Sequence, residues 1–219
     1  MSDFDPETII SRLRNLYDLS QSSNEFLHFN NPYEILIATI LSAQTTDRTV
    51  NLVTQELFKR YPDIASLAKA DPAEVEIIIH RTGFYHAKTK NIIAASQMVV
   101  LEYGGVVPDR MEELTLLPGV GRKTANIVLS HAFSKIVGIA VDTHVRRISM
   151  RLGLTFQTDP NRIETDLKRI FLPDTWGEIN GLFILHGRKV CNARKPSCTI
   201  CVLADLCQYA KAHSVGTCE

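Results

Sequence analysis

Apolar residues recur along most of this chain at the spacing of three and four positions that places them on one face of an α-helix. The clearest stripes are Ile9, Ile10, Leu13, Leu16 and Tyr17 near the start, and Val50, Val53 and Leu57 further on. No convincing alternation of apolar and polar positions, which would indicate a strand, interrupts them. There is no internal repeat and no low-complexity segment. The pattern therefore predicts an all-α protein of 219 residues.

Residues typical of helix ends separate these stripes. Asn31 should cap one helix and Pro32 begin it, because an Asn side chain accepts an N-terminal N–H and proline suits the first helical position. Asp71 should cap a second helix, Glu74 can reach back to the cap amide, and Gly83 should end that helix. Further helices are predicted over 87–103, 143–152 and 176–186, and Asp159 with Pro160 should open another.

A glycine-containing segment connects two helical patterns, one over 111–117 and one that starts at residue 125. It reads L-P-G-V-G-R-K-T-A from residue 117. The two glycines permit a tight turn, and amides at the start of the second helix can then bind a phosphate. This arrangement indicates a helix-hairpin-helix, which holds the DNA backbone without reading sequence. The residues expected to contact DNA here are Gly119, Val120, Gly121, Arg122 and Thr124.

Lys123 adds possible chemistry to this hairpin. An amine attacks only when it is deprotonated, and a helix N-terminus with Arg122 beside it supplies a positive field that favours the neutral amine. A simple phosphate contact is the alternative role for a lysine at this place.

Asp142 follows the apolar run 136–141 and directly precedes the predicted helix 143–152. Aspartate is a good N-cap, so a purely structural role is one interpretation. The same carboxylate can also stabilise positive charge that develops on a sugar and help to move protons. The two roles are not exclusive.

Four cysteines lie close together near the C-terminus with the spacing C-x6-C-x2-C-x5-C: Cys191, Cys198, Cys201 and Cys207. A disulfide framework is not expected in the absence of a secretion signal. Structural zinc usually takes two close cysteine pairs, and only one C-x2-C is present. The spacing therefore favours an iron–sulfur cluster, with zinc as the alternative. Cys218 lies outside this spacing.

The formal net charge is zero, yet the charges are unevenly distributed. The first part of the chain is acidic, whereas basic residues are concentrated after the hairpin, Arg146 among them. Arg194 and Lys195 lie between the first two cysteines. Such asymmetry can place a positive face against phosphates, with ordinary solvated helix faces as the alternative.

The start MSDFDPE is acidic and lacks an apolar run, so no secretory signal is expected. The uninterrupted apolar stretches are far shorter than the ~20 residues that span a bilayer. The expected setting is a reducing cytoplasm, with no membrane association.

The combination of these motifs resembles the endonuclease III family of bacterial DNA glycosylases. The hairpin L-P-G-V-G-R-K-T-A-N, the segment V-D-T-H-V and the four-cysteine spacing carry the resemblance, which covers roughly residues 6–209. The segments L-S-A-Q-T-T-D, which contains Gln44, and G-F-Y, which contains Phe84, also look like the two DNA-probing loops of the family.

The resemblance implies an all-α, two-domain helix-hairpin-helix DNA glycosylase fold with a cleft between the domains and a C-terminal [4Fe–4S] cluster loop. Residues 25–135 would form a six-helix domain that contains the hairpin. Residues 1–24 and 136–219 would form a discontinuous cluster domain. The four cysteines would hold the cluster, whose role would be structural.

The resemblance also implies roles for single residues. The lysine that matches Lys123 attacks the sugar, and the aspartate that matches Asp142 is catalytic. The glutamine that matches Gln44 fills the gap left by a flipped nucleotide. The position that matches Phe84 wedges the opposite strand and is commonly leucine, so phenylalanine here departs from the family pattern and leaves the opposite-base preference open.

The implied activity is base-excision repair by a monomeric bacterial enzyme. It would remove damaged pyrimidines from double-stranded DNA and cleave the abasic site on its 3′ side by β-elimination. Pyrimidine-dimer glycosylases share the lysine and the cluster, so they are the nearest alternative. A non-catalytic DNA-binding module and a ferredoxin-like electron carrier are two further alternatives from different classes.

Overall fold

The computed structural model describes residues 5–19 and 26–213, and it contains no strand within these ranges. The prediction of an all-α protein is confirmed. Cys218 lies outside the described residues. None of the described helices is both long and apolar enough to cross a membrane.

Twelve α-helices are present in the described ranges. In chain order they are α1 (Pro6–Leu16), α2 (Pro32–Leu41), α3 (Asp47–Arg60), α4 (Ile64–Ala68), α5 (Pro72–Ile79), α6 (Tyr85–Tyr103), α7 (Met111–Leu114), α8 (Arg122–Phe133), α9 (Thr143–Leu152), α10 (Pro160–Ile170), α11 (Trp176–Lys189) and α12 (Gln208–His213). They fall into two compact units, one of Gln21–Lys135 and one of Met1–Ser20 together with Ile136–Glu219.

The continuous unit, Gln21–Lys135, is built around α2. Nearly every residue of α2 is buried, because α3, α6 and α8 all pack against it. The helices α4 and α5 cover another side of α6. Their apolar side chains form one core, to which Leu36, Ile37, Leu41, Leu57, Ile92 and Leu129 belong. This core holds the two ends of the hairpin, α7 and α8, in place.

The discontinuous unit joins the two ends of the chain. Helix α11 packs against both α1 and α9, and α12 packs against α9. The predicted stripe on α1 is buried at Ile9, Ile10, Leu13 and Tyr17, whereas Leu16 is exposed. Ion pairs of Arg12 with Asp205 and of Arg14 with Glu178 add to this packing.

Several predicted helix ends are confirmed. The side chain of Asn31 caps α2, with Pro32 in the first turn, and Asp159 caps α10. The capping role predicted for Glu74 is wrong, because its carboxylate accepts hydrogen bonds from Arg60 and the Tyr61 hydroxyl.

Other helix boundaries differ from the sequence pattern by a few residues. The helix over Asp71–Gly83 ends at Ile79 and continues as a 3₁₀ turn, His80–Thr82. Helix α6 begins two residues earlier than predicted, α7 ends at Leu114, and α11 continues to Lys189.

Candidate functional site

The predicted hairpin is present between α7 and α8. Gly119 has a φ of 78°, a conformation that favours glycine, and an added Cβ would approach the Asn91 side chain to 3.0 Å. The Val120 N–H donates to the Leu117 carbonyl at 3.0 Å, and both of these side chains are buried. Apolar anchors therefore hold the turn while Gly119 and Gly121 stay exposed.

The start of α8 has no side-chain cap, as is also true of α6 and α7 but not of the first four helices in the same unit. The side chains of Asn31, Thr46, Asp63 and Asp71 cap α2, α3, α4 and α5, whereas Gly121 caps α8 without any side-chain acceptor. The first N–H groups of a helix need acceptors from outside it. An external anion can supply them, helped by the helix dipole.

Lys123 lies in the first turn of α8, directly after Arg122, and it is exposed. Within residues 5–19 and 26–213, no carboxylate or other group pairs with its ammonium. Its amine is therefore accessible to solvent and to a ligand. Thr124 follows in the same turn and is half-buried.

Asp142 caps α9, as its position in the sequence predicts. Its Oδ1 accepts hydrogen bonds from the N–H groups of His144 and Val145, both at 2.8 Å. The other carboxylate oxygen, Oδ2, accepts none from the described part of the chain. One oxygen therefore fixes the carboxylate on the helix, and the second remains available to a ligand.

Helix α9 also holds the segment that begins with Cys191. The Arg147 guanidinium donates to the carbonyl oxygens of Gly187 and Cys191 at 3.1 and 3.0 Å. Arg151 donates to the Asn192 carbonyl at 2.8 Å and to the Cys191 Sγ at 3.1 Å. Sequence reasoning missed both residues. The sequence gives little indication of this role, because an arginine on a helix face is normally solvated.

The four cysteines of the predicted cluster loop are brought together, and all four thiols are free of disulfides. Burial raises the pKa of the Cys201 thiol, the Leu203 N–H lowers it, and the thiols of Cys191, Cys207 and Cys198 raise it further. Each of the other three cysteines is thus close enough to act electrostatically on Cys201. Four thiolates in this arrangement repel one another unless a cation lies among them.

The arrangement fits an iron–sulfur cluster better than a single ion. Zinc binds thiolate sulfurs at about 2.3 Å, which draws its ligands tightly around one point. Among the described residues, no three His, Cys, Asp or Glu side chains are gathered to hold one metal ion. N–H groups of Leu203 and Ala210 also point to the sulfurs of Cys201 and Cys207, at 3.4 and 3.5 Å. Such donors are typical around cluster thiolates.

The two residues of the predicted DNA-probing loops, Gln44 and Phe84, have the same unusual backbone conformation. Gln44 has a φ of 54° and Phe84 a φ of 48°, and Ser134 is the only other non-glycine residue with positive φ in the described ranges. Both side chains are exposed, and Phe84 retains 68% of its accessible surface. A left-handed conformation costs a non-glycine residue about 1–3 kcal/mol, and such strain is concentrated at functional sites.

Lys88, a residue that sequence reasoning passed over, supports the turn before α6. Its side chain is only 4% exposed, and its Nζ donates to the Thr82 carbonyl at 2.8 Å. Burial lowers the pKa of this lysine. The Thr82 hydroxyl in turn donates to the Ile79 carbonyl at 2.8 Å. Nothing in the sequence separates Lys88 from the exposed Lys90 on the same helix.

Three basic residues that were predicted to contact DNA are exposed. Arg146 lies on α9, and Arg194 and Lys195 lie between the first two cysteines. None of the three forms an ion pair with the described residues. Their charges are therefore available to an external anion.

Comparison with known protein families gives two matches. Residues 37–173 match the model of the HhH-GPD superfamily base excision DNA repair proteins. Residues 191–207, which contain all four cysteines, match the iron-sulfur binding domain of endonuclease III.

Individual relatives agree with these matches. The chain is 52% identical to endonuclease III of Synechocystis sp., over 93% of this chain and 92% of the relative. It is 42% identical to endonuclease III of Thermotoga maritima, over 84% and 86%. Among solved structures, a trapped covalent intermediate of endonuclease III with DNA is 37% identical, covers 96% of this chain and 99% of the solved one, and has a TM-score of 0.85. A thermostable thymine-DNA glycosylase is 23% identical, with a TM-score of 0.83, and shares the fold.

Proposed function

The chain belongs to the endonuclease III family of base-excision DNA repair enzymes, and on this basis we propose that it acts on damaged pyrimidines in duplex DNA through Lys123 and Asp142. As a member of this family it is a DNA glycosylase with AP lyase activity, and it holds a [4Fe–4S] cluster. Its site of action would be the nucleoid of a bacterial cytoplasm, where it would work as a monomer.

The start of α8, which has no side-chain cap and lies directly after the glycine turn of the hairpin, carries the proposal. The hairpin would bind a backbone phosphate through the N–H groups at the start of α8, near Gly121, Arg122 and Thr124. This contact would place the next residue, Lys123, beside the DNA backbone. Its ammonium has no partner in the described ranges, so no ion pair has to break before it reacts.

The reaction begins when a damaged base leaves the stack, which costs a few kcal/mol and least for a poorly stacked lesion. Gln44 would then occupy the vacated space, and Phe84 would stack against the opposite strand. Once its ammonium has released a proton to solvent, the neutral Nζ of Lys123 attacks C1′ as the bond to the base breaks, and the base leaves with the bonding electrons and takes up a proton. The sugar opens to a Schiff base, which makes the 3′ phosphate a leaving group once C2′ loses a proton.

Asp142 would act through the oxygen that the helix cap leaves available. A negative charge at that oxygen stabilises the positive charge that the sugar carries as the base departs. The same carboxylate can accept a proton in the later steps. The strong N-cap, with two N–H donors on Oδ1, would hold the carboxylate in one orientation.

Cys191, Cys198, Cys201 and Cys207 hold the cluster in this assignment. When bound, the cluster would offset part of the negative charge of the four thiolates and would fix the loop between them. That loop carries Arg194 and Lys195, which would contact phosphates. Arg147 and Arg151 attach the first part of the loop to α9.

Borohydride trapping on lesion-containing duplexes tests the proposal. A panel with thymine glycol, dihydrouracil, uracil, 8-oxoguanine and a cyclobutane dimer should give adducts with the oxidised and reduced pyrimidines. Lys123→Gln should form no adduct while it still binds the lesion. Arg122→Gln is the matched control, because loss of a phosphate contact should weaken binding yet preserve the adduct at saturation. An adduct in Lys123→Gln, or a preference for the dimer, would contradict the proposal.

A further inference from the structure

A buried histidine lies between the first helix of the chain and one of the cluster cysteines. The Nδ1 of His186 is 3.1 Å from the Tyr17 hydroxyl, and its Nε2 is 3.4 Å from the Cys201 Sγ. Tyr17 ends α1, His186 lies near the end of α11, and all three residues belong to the discontinuous unit. The imidazole thus lies between two hydrogen-bonding partners, Tyr17 and Cys201, that are far apart in sequence.

His186 contacts the cysteine loop through its main chain as well. Its carbonyl oxygen accepts the N–H groups of Val190 and Cys191, at 2.9 and 2.8 Å. The side chain is 1% exposed, and that of Tyr17 is also buried. Water therefore has little access to either ring nitrogen, so each must find its partner within the protein.

The chemistry of the partners fixes the position of the imidazole proton. A cysteine that is bound to a metal is a thiolate, which can only accept a hydrogen bond. The nitrogen that faces Cys201, Nε2, must then carry the proton. Nδ1 is left with a lone pair, which accepts the hydrogen of the Tyr17 hydroxyl. Both hydrogen bonds are satisfied by one tautomer, with no change of geometry.

We propose that His186, held in this tautomer by Tyr17, donates an Nε2–H hydrogen bond to the Cys201 thiolate and raises the reduction potential of the cluster. A donor withdraws electron density from a ligating sulfur, and hydrogen bonds to the sulfurs are one determinant of cluster potential. Cys201 then has two donors, His186 and the Leu203 N–H. Tyr17 is a positioning residue, because it acts on the sulfur only through His186.

Two substitutions of His186 separate this role from simple filling of the core. The amide nitrogen of glutamine reaches the place of Nε2, so His186→Gln keeps a donor to Cys201. Asparagine is one methylene shorter and reaches only the place of Nδ1, so His186→Asn loses that donor. In voltammetry of the iron-replete proteins, we expect His186→Asn to shift to a more negative potential and His186→Gln to remain near the parent.

If His186 only filled space in the core, its substitutions would change the melting temperature and not the reduction potential. Loss of packing alone would lower the melting temperature of both variants and leave both potentials at the parental value, and that result would overturn the proposal. Equal negative shifts in both variants would overturn it as well. The parent offers an independent check, since the Fe–S(Cys) stretching frequencies in resonance Raman spectra should change in D₂O, and His186→Asn should reduce that change.

Tyr17→Phe keeps the proposal testable if His186→Asn fails to retain the cluster. This variant removes one hydroxyl and leaves the ring in the core, so the protein should fold and bind its full iron content. Its imidazole loses the hydroxyl that holds Nδ1 and orients the ring toward Cys201, and we expect a smaller negative shift. A parental potential in Tyr17→Phe would then overturn the proposal.

Discussion

The Nζ of Lys88 donates a hydrogen bond of 2.8 Å to the carbonyl oxygen of Thr82, and this bond closes the turn that presents Phe84. The turn needs such support. Gly83, with φ 68° and ψ 159°, has a conformation open almost only to glycine, and Phe84 follows in the left-handed region. A buried ammonium that gives its hydrogen bond to one carbonyl is a costly means of holding a turn, which indicates that the position of the turn matters.

Lys88→Met should therefore reduce lesion recognition more than stability. Methionine fills a similar volume, and the desolvation cost of the ammonium disappears, which offsets the carbonyl left without a donor. We expect a small change in melting temperature and a loss of lesion-specific affinity, while binding to undamaged duplex remains the same. The exposed Lys90→Met is the matched control. If both variants lost lesion-specific affinity to the same extent, Lys88 would have no role in positioning the turn.

Phe84→Ala should weaken lesion binding by ~1–3 kcal/mol, the scale of one lost base–aromatic stack. Its side chain is mostly exposed, so the melting temperature should change little. Phe84→Gly should bind equally weakly and yet be no less stable than the alanine variant, because glycine relieves the left-handed strain. Fluorescence anisotropy and thermal melts give the two quantities. A collapse of the melting temperature in Phe84→Ala would instead identify a core residue.

Two substitutions of Asp142 should separate its role as a helix cap from its proposed role in catalysis. Asn caps a helix about as well as Asp, so Asp142→Asn should retain its stability while turnover falls by a large factor. Asp142→Ala should lose about 1 kcal/mol of unfolding free energy in addition. Asp159 accepts two N–H groups at the start of α10 in the same way and is the matched control. Asp159→Ala should lose stability and keep its activity. Near-parental turnover in Asp142→Asn would leave Asp142 as a cap only.

Replacement of Arg194 and Lys195 by alanine should weaken binding to every duplex, with or without a lesion. Each phosphate contact contributes about 0.9 to the slope of log K against log salt, so the slope should fall by about two. Lys59→Ala combined with Lys69→Ala changes the net charge equally at exposed places in the other unit. An unchanged slope after the loss of Arg194 and Lys195 would show that both side chains are solvated and contact no phosphate.

The purified protein should be brown and should contain about four irons per chain, as the cluster requires. Cys207→Ser removes a buried thiol from the set and should lower the iron content and destabilise the loop. Cys218→Ser should leave the iron content unchanged, since Cys218 lies outside the cluster spacing. Inductively coupled plasma analysis decides between these outcomes, and one zinc with no iron in protein from iron-replete cells would contradict the assignment.

The features that could be predicted from the sequence are those with a local cause. Asp142 caps α9 because an Asp side chain reaches the N–H groups two and three residues ahead, whatever the rest of the chain does. The turn at Gly119 and the spacing of the four cysteines are local in the same sense. These elements carried the family resemblance, and hence the fold class and the cofactor.

Features that depend on distant partners could not be predicted. Glu74 has a suitable position for a capping box, yet Arg60 and Tyr61 at the end of α3 compete successfully for its carboxylate. Lys88 and Lys90 look alike in the sequence, and only the packing of α6 buries the first and exposes the second. His186 has the pattern of an ordinary core position until Tyr17 and Cys201 are seen on either side of it.

In the discontinuous unit, α1 is synthesised long before α11, the helix against which it packs. Tyr17 leaves the ribosome 169 residues before His186, its hydrogen-bonding partner. At about 5–20 residues per second, translation of the intervening chain takes roughly 10–30 s. During that interval the continuous unit, Gln21–Lys135, has all of its sequence and can fold, whereas the apolar stripe of α1 has no surface to pack against. The α1 segment of the nascent chain is therefore a candidate for chaperone binding, and the cluster can be completed only after Cys207 has been synthesised.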